Sequence, residues 1–238
     1  YEVFDYGQAC MGGPDDGRPV ALVWGDSHAA SLYAGLATQA GQRGYRLAQM
    51  TVTSCAPLIE STTDFNFNCK PMHERTIPAI EKLKPKMVVL AARWAAGYPE
   101  DKIYRLLGPT IAWLKSIGVE RVAVIGPLPT WYPSLPNAVV SEAMKSFQMS
   151  APDRVTSGLY ENTFTMTPRL REIAQSAGGD FLAPLDYLCE KRDCRIWVDP
   201  ATKETLMAFD DAHLTPEGSQ LVGALTGDKV FGRAAATH

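Results

Sequence analysis

Residues 20 to 41 read VALVWGDSHAASLYAGLATQAG, and they constrain the fold more than any other stretch. Pro19 to Trp24 is an unbroken apolar run, the pattern of a strand buried on both faces. At Gly25-Asp26-Ser27-His28 the run stops, and small helix-forming residues continue to Arg43, with Gly44 as the stop signal. A strand feeding straight into a helix calls for layered α/β packing, because both elements must bury apolar surface in one core. The junction lifts Ser27 onto the first turn of the helix. Such a serine can be a nucleophile or part of an ordinary helix start.

The same alternation recurs downstream. Tyr45–Met50 reads as a strand, Pro71–Leu83 as a helix, Lys86–Ala91 as a strand, Asp101–Ile117 as a helix stopped by Gly118, and Arg121–Ile125 as a strand. Four apolar strands separated by helices predict a mostly parallel sheet covered on both faces, a three-layer α/β/α sandwich. GPLPTWYPSLP, residues 126 to 136, is too proline-rich to continue that sheet. Helices follow at Ala138–Met149 and Leu159–Ala177, then a strand at Asp180–Leu182. A last helix starts at Thr215-Pro216-Glu217, with Thr as N-cap and Pro at the first helical position. Residues 1 to 18 read as a linker or leading arm, and 19 to 238 as one domain.

At 238 residues the chain fits a single α/β domain. Its formal net charge is −3 with no basic run, which argues against nucleic acid or an anionic membrane surface as partner. The best apolar stretch, Met87 to Ala96, is interrupted by Arg93 and falls short of the about 18 residues that span a bilayer. The chain begins with Tyr1, as a processed protein or a piece of a longer one would. Five cysteines include no C-x-x-C pair, and there is no HExxH, so no metal site is expected. Cys55 and Cys69 bracket one polar loop, and Cys189 and Cys194 a tight charged one. Both spacings suit local disulfides in an oxidising compartment, with Cys10 left over. The alternative is five free thiols in a reducing one.

A serine nucleophile needs a base, itself oriented by a third group. Of four histidines, His238 is terminal, His73 sits on a probable helix face exposed to solvent, and His28 adjoins Ser27 and should point away from its hydroxyl. That leaves His213 in FDDAHLTPEG. Asp210, three residues earlier, can reach the near nitrogen of that imidazole and leave the far one for serine. Asp211 should point elsewhere. Alone, D-x-x-H is a weak pattern.

The combination is more specific. A G-D-S block on the first strand with D-x-x-H just before the last helix resembles the SGNH hydrolase superfamily, also called GDSL esterases. GDSH, TSCAPL, VVLAARW, IGPLP and DDAHLTPEG, in that order, carry a narrower resemblance. Over residues 19 to 226 the chain resembles, more narrowly, the periplasmic SGNH domain fused to membrane acyltransferase family three proteins. The resemblance implies the flavodoxin-like SGNH fold and O-acetylation of lipopolysaccharide O-antigen or another envelope glycan, without a cofactor. It also implies a periplasmic domain of an inner-membrane protein, whose membrane acyltransferase domain supplies the acyl group to a glycan acceptor. Carbohydrate O-acetylesterase and non-catalytic glycan-binding module are the competing expectations.

Carried over by position, the resemblance implies Ser27 as nucleophile, His213 as general base and acid, and Asp210 as its orienting partner. The superfamily's usual oxyanion Gly and Asn are missing: Thr53-Ser54-Cys55 and Ala91-Ala92-Arg93-Trp94 stand there instead. The Ser27 N–H remains a candidate donor at the positive end of its helix. Ser54, Cys55 and Arg93 are candidates for a second, with a structural ion pair as the other reading of Arg93. Trp94, Tyr98, Trp131 and Tyr132 follow the third and fourth strands, where ligands bind in open parallel sheets. They are expected either to stack on the sugar acceptor or simply to pack their loops.

Overall fold

Along the first strand, β1 (Val20–Gly25), alternate side chains enter two separate cores. Ala21 and Val23 face one and Leu22 and Trp24 the other, all at most 2% exposed. A strand with period two and no polar face must lie between two covering layers. The computed structural model, which describes residues 6–7, 10–59, 69–145 and 151–232, has that form.

β1 leads into α1 (Ser27–Gln42), then β2 (Arg46–Thr51), α2 (Cys69–Leu83), β3 (Met87–Ala91), α3 (Glu100–Ser116) and β4 (Arg121–Ile125). A less regular half follows: α4 (Leu135–Lys145), β5 (Arg154–Val155), α5 (Glu161–Ser176), β6 (Asp180–Leu182), α6 (Leu185–Leu188), β7 (Cys189–Glu190), β8 (Asp193–Arg195) and α7 (Pro216–Phe231). The main sheet has the order β2-β1-β3-β4-β6 and is parallel throughout. On one face Leu32 and Leu36 of α1 pack with Val222 and Val230 of α7. On the other, Ile80 of α2, Ile103 and Ile111 of α3, and Leu170 of α5 close the layer. The expected three-layer sandwich is present. Among the described residues no helix is long and apolar enough to cross a membrane.

Several expectations need correction. β5, β8 and β7 form a small antiparallel sheet that the sequence did not announce. α4 starts at Leu135 rather than Ala138, since Pro136 is tolerated in a first helical turn; the expected stretch from 146 to 149 lies outside the described residues, as does His238. His73 is 8% exposed and meets Trp24 edge-on at 5.8 Å, so its face of α2 is buried, not solvated. Within the leading arm, the carbonyls of Gly13 and Pro14 and the carboxylate of Asp15 accept from the Arg46 guanidinium. Cys55–Cys69 and Cys189–Cys194 are disulfides, and Cys10 is free and exposed.

α1 and α7 touch along a seam of small residues. The Gly35 N–H donates to Ser219 Oγ at 3.0 Å, and Gly223 packs directly against the Gly35 backbone. A Cβ on Gly35 would lie 1.9 Å from the Ser219 carbonyl oxygen, whereas one on Gly41 would meet nothing within 4 Å. Alanine gains about 1 kcal/mol of helix propensity at either position. At Gly35 a backbone clash cannot be relieved by a rotamer, and overpacking costs roughly 1–3 kcal/mol. Gly35→Ala is therefore expected to destabilise and Gly41→Ala to stabilise. Denaturant midpoints of the two variants should move in opposite directions.

Candidate active site

The site begins where β1 ends. A Cβ on Gly25 would sit 1.9 Å from the Ala91 carbonyl oxygen, so only glycine lets the chain turn there beside β3. Asp26 then caps α1, its Oδ1 accepting from the His28 N–H at 2.8 Å. Its Oδ2 accepts from the Arg93 N–H at 2.9 Å and the Tyr98 hydroxyl at 2.7 Å. One buried carboxylate thus ties the β1–α1 junction to the β3–α3 loop. Burial raises its pKa, and these hydrogen bonds oppose that rise. Burial and the adjoining Asp26 likewise raise the Tyr98 phenol, which stays a donor.

Ser27 follows, on the first turn of α1. Its Oγ lies 2.7 Å from His213 Nε2, and His213 Nδ1 lies 2.7 Å from Asp210 Oδ2. Asp210 Oδ1 accepts from the backbone N–H groups of Ala212 at 3.1 Å and His213 at 2.8 Å. Burial raises the Asp210 pKa, but hydrogen bonds from the His213 backbone, its ring and Ala212 outweigh that and hold the carboxyl below its usual range. An ionised Asp210 keeps a proton on Nδ1 and leaves Nε2 free to accept from the serine hydroxyl.

Neighbouring backbone fixes the His213 loop. The carbonyls of Asp210 and Asp211 accept from Leu135 N–H at 2.8 Å and Trp131 N–H at 2.9 Å. Thr215 caps α7 by accepting from Gly218 N–H. The α1–α7 seam therefore sets the approach of Ser27 and His213, which lie at the N-terminal ends of those helices. The His213 ring sits between Phe209, stacked at 5.8 Å, and His28, tilted at 4.4 Å. Burial, then His213 and Arg93, push His28 from 6.5 down to about 3, so this second imidazole is neutral.

Ser27, His213 and Tyr98 face a cleft of about 680 Å³, together with Thr53, Ser54 and Arg93. Ser54 adopts a φ of 56°, the left-handed region that favours glycine. Cys55 is not part of the cleft: its N–H donates to Val52 C=O at 3.0 Å, its sulfur is bonded to Cys69, and it is 1% exposed. Arg93 lines the cleft, but its guanidinium is paired with Asp211. Asp210, Asp211 and His213 bring potential metal-ligand atoms within 4.8 Å, yet all three already bind protein groups.

The four aromatic candidates separate. Trp94 is fully buried, its indole N–H donating to the Ile125 carbonyl at 2.8 Å, so it packs beneath the cleft and offers no face to a sugar. Trp131 is 2% exposed and also belongs to the core. For both, the acceptor reading is corrected to loop packing. Tyr98 lines the cleft, and Tyr132 stands 71% exposed beyond it. Tyr160 and Asn162, where α5 begins, also line the cleft. Sequence reasoning missed them; the only local signal was an aromatic residue at a helix start.

A family model described as an SGNH domain (fused to AT3 domains) matches residues 2–227. No curated protein sequence matches. Among solved structures, the chain is similar to the periplasmic domain of a lipopolysaccharide acetyltransferase from Salmonella ser. Paratyphi A. Identity there is 24% and the TM-score 0.79, over 93% of this chain and 86% of that one. It is also similar to a carbohydrate acetylesterase from Sinorhizobium meliloti, with 15% identity and TM-score 0.52 over 90% and 98%. An aryl esterase from M. smegmatis gives 14% and 0.54 over 89% and 98%. At such identities the likeness establishes the fold.

Proposed function

The chain belongs to the family of SGNH domains fused to AT3 domains, and we propose that it is a serine-dependent O-acetyltransferase acting on a hydroxyl of a cell-envelope polysaccharide. The observation that carries this reading is the Ser27 Oγ–His213 Nε2 contact of 2.7 Å, backed by Asp210 on the far nitrogen. As Ser27 Oγ attacks the acetyl carbonyl carbon, its proton passes to Nε2. Asp210 stabilises the resulting imidazolium. The developing oxyanion is met by the Ser27 N–H at the positive end of α1, and Ser54, in the cleft wall, is the candidate region for a second donor. The imidazolium then protonates the leaving group. In the second half, His213 takes a proton from a glycan hydroxyl, whose oxygen attacks the acyl-serine carbonyl. The bond to Ser27 Oγ breaks, the imidazolium returns its proton to Oγ, and the acetylated sugar leaves.

Family membership supports a membrane acyltransferase domain in the same protein as the acetyl source. The two disulfides fit a periplasmic location. The family's fusion to AT3 domains, which would place an acyl source in the same protein, supports transfer over hydrolysis. An acetylesterase is the second reading, with water replacing the sugar hydroxyl. A purely binding module would have no use for a hydrogen-bonded Ser-His-Asp set. The test is mass spectrometry of the domain with an activated acetyl ester, with and without O-antigen polysaccharide. Transfer predicts an acetyl-serine that persists alone and discharges onto the glycan. Discharge to free acetate at the same rate either way would establish the esterase.

Arg93 is assigned to the loop rather than to the oxyanion, because Asp211 already holds its guanidinium. Hydrogen bonds to charged groups contribute roughly 1.5–3 kcal/mol, and about a third of this side chain is exposed (33%), which discounts the figure. Arg93→Ala is expected to lower stability by about 1 kcal/mol and slow ester turnover less than tenfold. An oxyanion donor would instead cost about 10²–10³ in rate, at unchanged stability. Both quantities are read on one preparation.

A further inference from the structure

We propose that the acceptor binds as a chain across two adjoining sugar positions, the second formed by Tyr132 and Tyr160 outside the catalytic cleft. This rests on the transferase reading and adds where the glycan runs. Tyr160 is a wall of two hollows. One is the cleft holding Ser27 and His213; the other is a shallower depression of about 440 Å³ lined by Tyr132, Gly158, Leu159, Tyr160 and Glu161. The two share this residue, whose ring lies against that of Tyr132, so a ligand leaving the cleft past Tyr160 reaches Tyr132.

The outer position is built by the backbone. Tyr132 N–H donates to Gly158 C=O at 2.7 Å, Tyr160 N–H donates to Thr130 C=O at 2.9 Å, and Trp131 bridges Leu159 in antiparallel fashion. In such a pairing neighbouring side chains alternate between faces. Trp131 points into the core, and its neighbour Tyr132 is therefore turned outward, 71% exposed. Gly158 has φ +77°, and a Cβ there would approach the Tyr132 carbonyl oxygen to 2.9 Å, so the tight pairing requires glycine. The two tyrosine rings stand edge to face, with centroids 6.2 Å apart.

The chemistry of this position selects a sugar. An exposed ring offers an apolar face to axial C–H groups, and its hydroxyl a polar edge. Glu161 at the rim is ion-paired with Arg192, giving both acceptors and donors for ring hydroxyls. A lipid tail would need a continuous apolar channel, and a nucleic acid would meet a chain of net charge −3.

The test measures binding of mono-, di- and tetrasaccharides cut from lipopolysaccharide O-antigen to the Ser27→Ala protein, where turnover does not interfere. Affinity should rise from the single sugar to the longer fragments. Adding Tyr132→Ala should weaken the tetrasaccharide about tenfold, the loss of one aromatic anchor, and flatten the length dependence. Tyr132→Phe, which keeps the ring, should retain most of it. Met144→Ala, at another exposed apolar side chain (74%), should change nothing. Length-independent affinity, no glycan binding at all, or a tetrasaccharide unaffected by Tyr132→Ala overturns the second position. Transfer is assayed separately on wild type. Length-dependent binding without transfer would sink the transferase reading alone, and transfer with length-independent binding would sink the second position alone.

Discussion

Ser27→Ala is expected to reduce turnover of an activated acetyl ester by on the order of 10⁴–10⁶-fold, because the acyl group loses its point of attachment. What survives should come from the remaining donors and from simple binding. The fold should not suffer. Asp26, not Ser27, caps α1, and the described partner of Ser27 Oγ is the His213 ring. Loss of one partly buried hydroxyl should change stability by no more than about 1 kcal/mol. His213→Ala should cost a comparable factor, and the double variant little more than either single one, since the pair acts as a unit. A folded Ser27→Ala protein with wild-type rates, or one still labelled by acetyl at the active site, would remove the assigned nucleophile.

The second large effect is on stability in acid. His28 is held near 3 in the folded chain, against 6.5 for a free imidazole. As pH falls below 6.5 the unfolded chain takes up a proton that the folded one refuses, so acid favours unfolding. The penalty is about 1.4 kcal/mol per pH unit and reaches about 5 kcal/mol across the window down to 3. Against a typical total of about 5–15 kcal/mol, that is enough to unfold many domains. Asp210, held below its usual range, acts in the same direction as pH falls through the carboxylate range. Asp26 acts oppositely: its raised pKa lets the folded state bind a proton first, which adds stability on acidification. The His28 share is isolated by urea unfolding of wild type and His28→Gln between about pH 4 and pH 7. The variant should show a shallower decline; parallel profiles would mean that His28 is protonated in the folded protein.

How much of this was readable beforehand depended on whether a feature is local in the chain. β1, β3 and β4 were legible because a strand buried on both faces leaves an unbroken apolar run, and α7 because Thr215-Pro216 marks a helix start. His213 and Asp210 were legible because few histidines compete and a three-residue spacing can close on one ring. β5, β7 and β8, with two or three residues each, are too short to show a period. The aromatic loops show why composition does not give orientation. Trp131 faces the core while its neighbour Tyr132 faces outward, a choice made by antiparallel pairing with residues almost thirty positions away. Trp94 is turned inward by its hydrogen bond to the Ile125 carbonyl. Tyr160 and Asn162 reach the cleft only through tertiary packing of the start of α5. The glycines at 35 and 223 are plain in the sequence, but their mutual contact is not.

The hydroxyl and imidazole that meet at 2.7 Å lie 186 residues apart in the chain. At roughly 5–20 residues per second, a ribosome that has just made Ser27 needs about ten to forty seconds more to make His213. Through that interval the β1–α1 unit can take shape, but its serine is an ordinary alcohol, and the glycine face of α1 has nothing to lie against. Docking of α7 covers that face and brings in the base together. In the proposed mechanism the chain thus carries a built-in delay, because the serine gains its base only when the last helix has found its place.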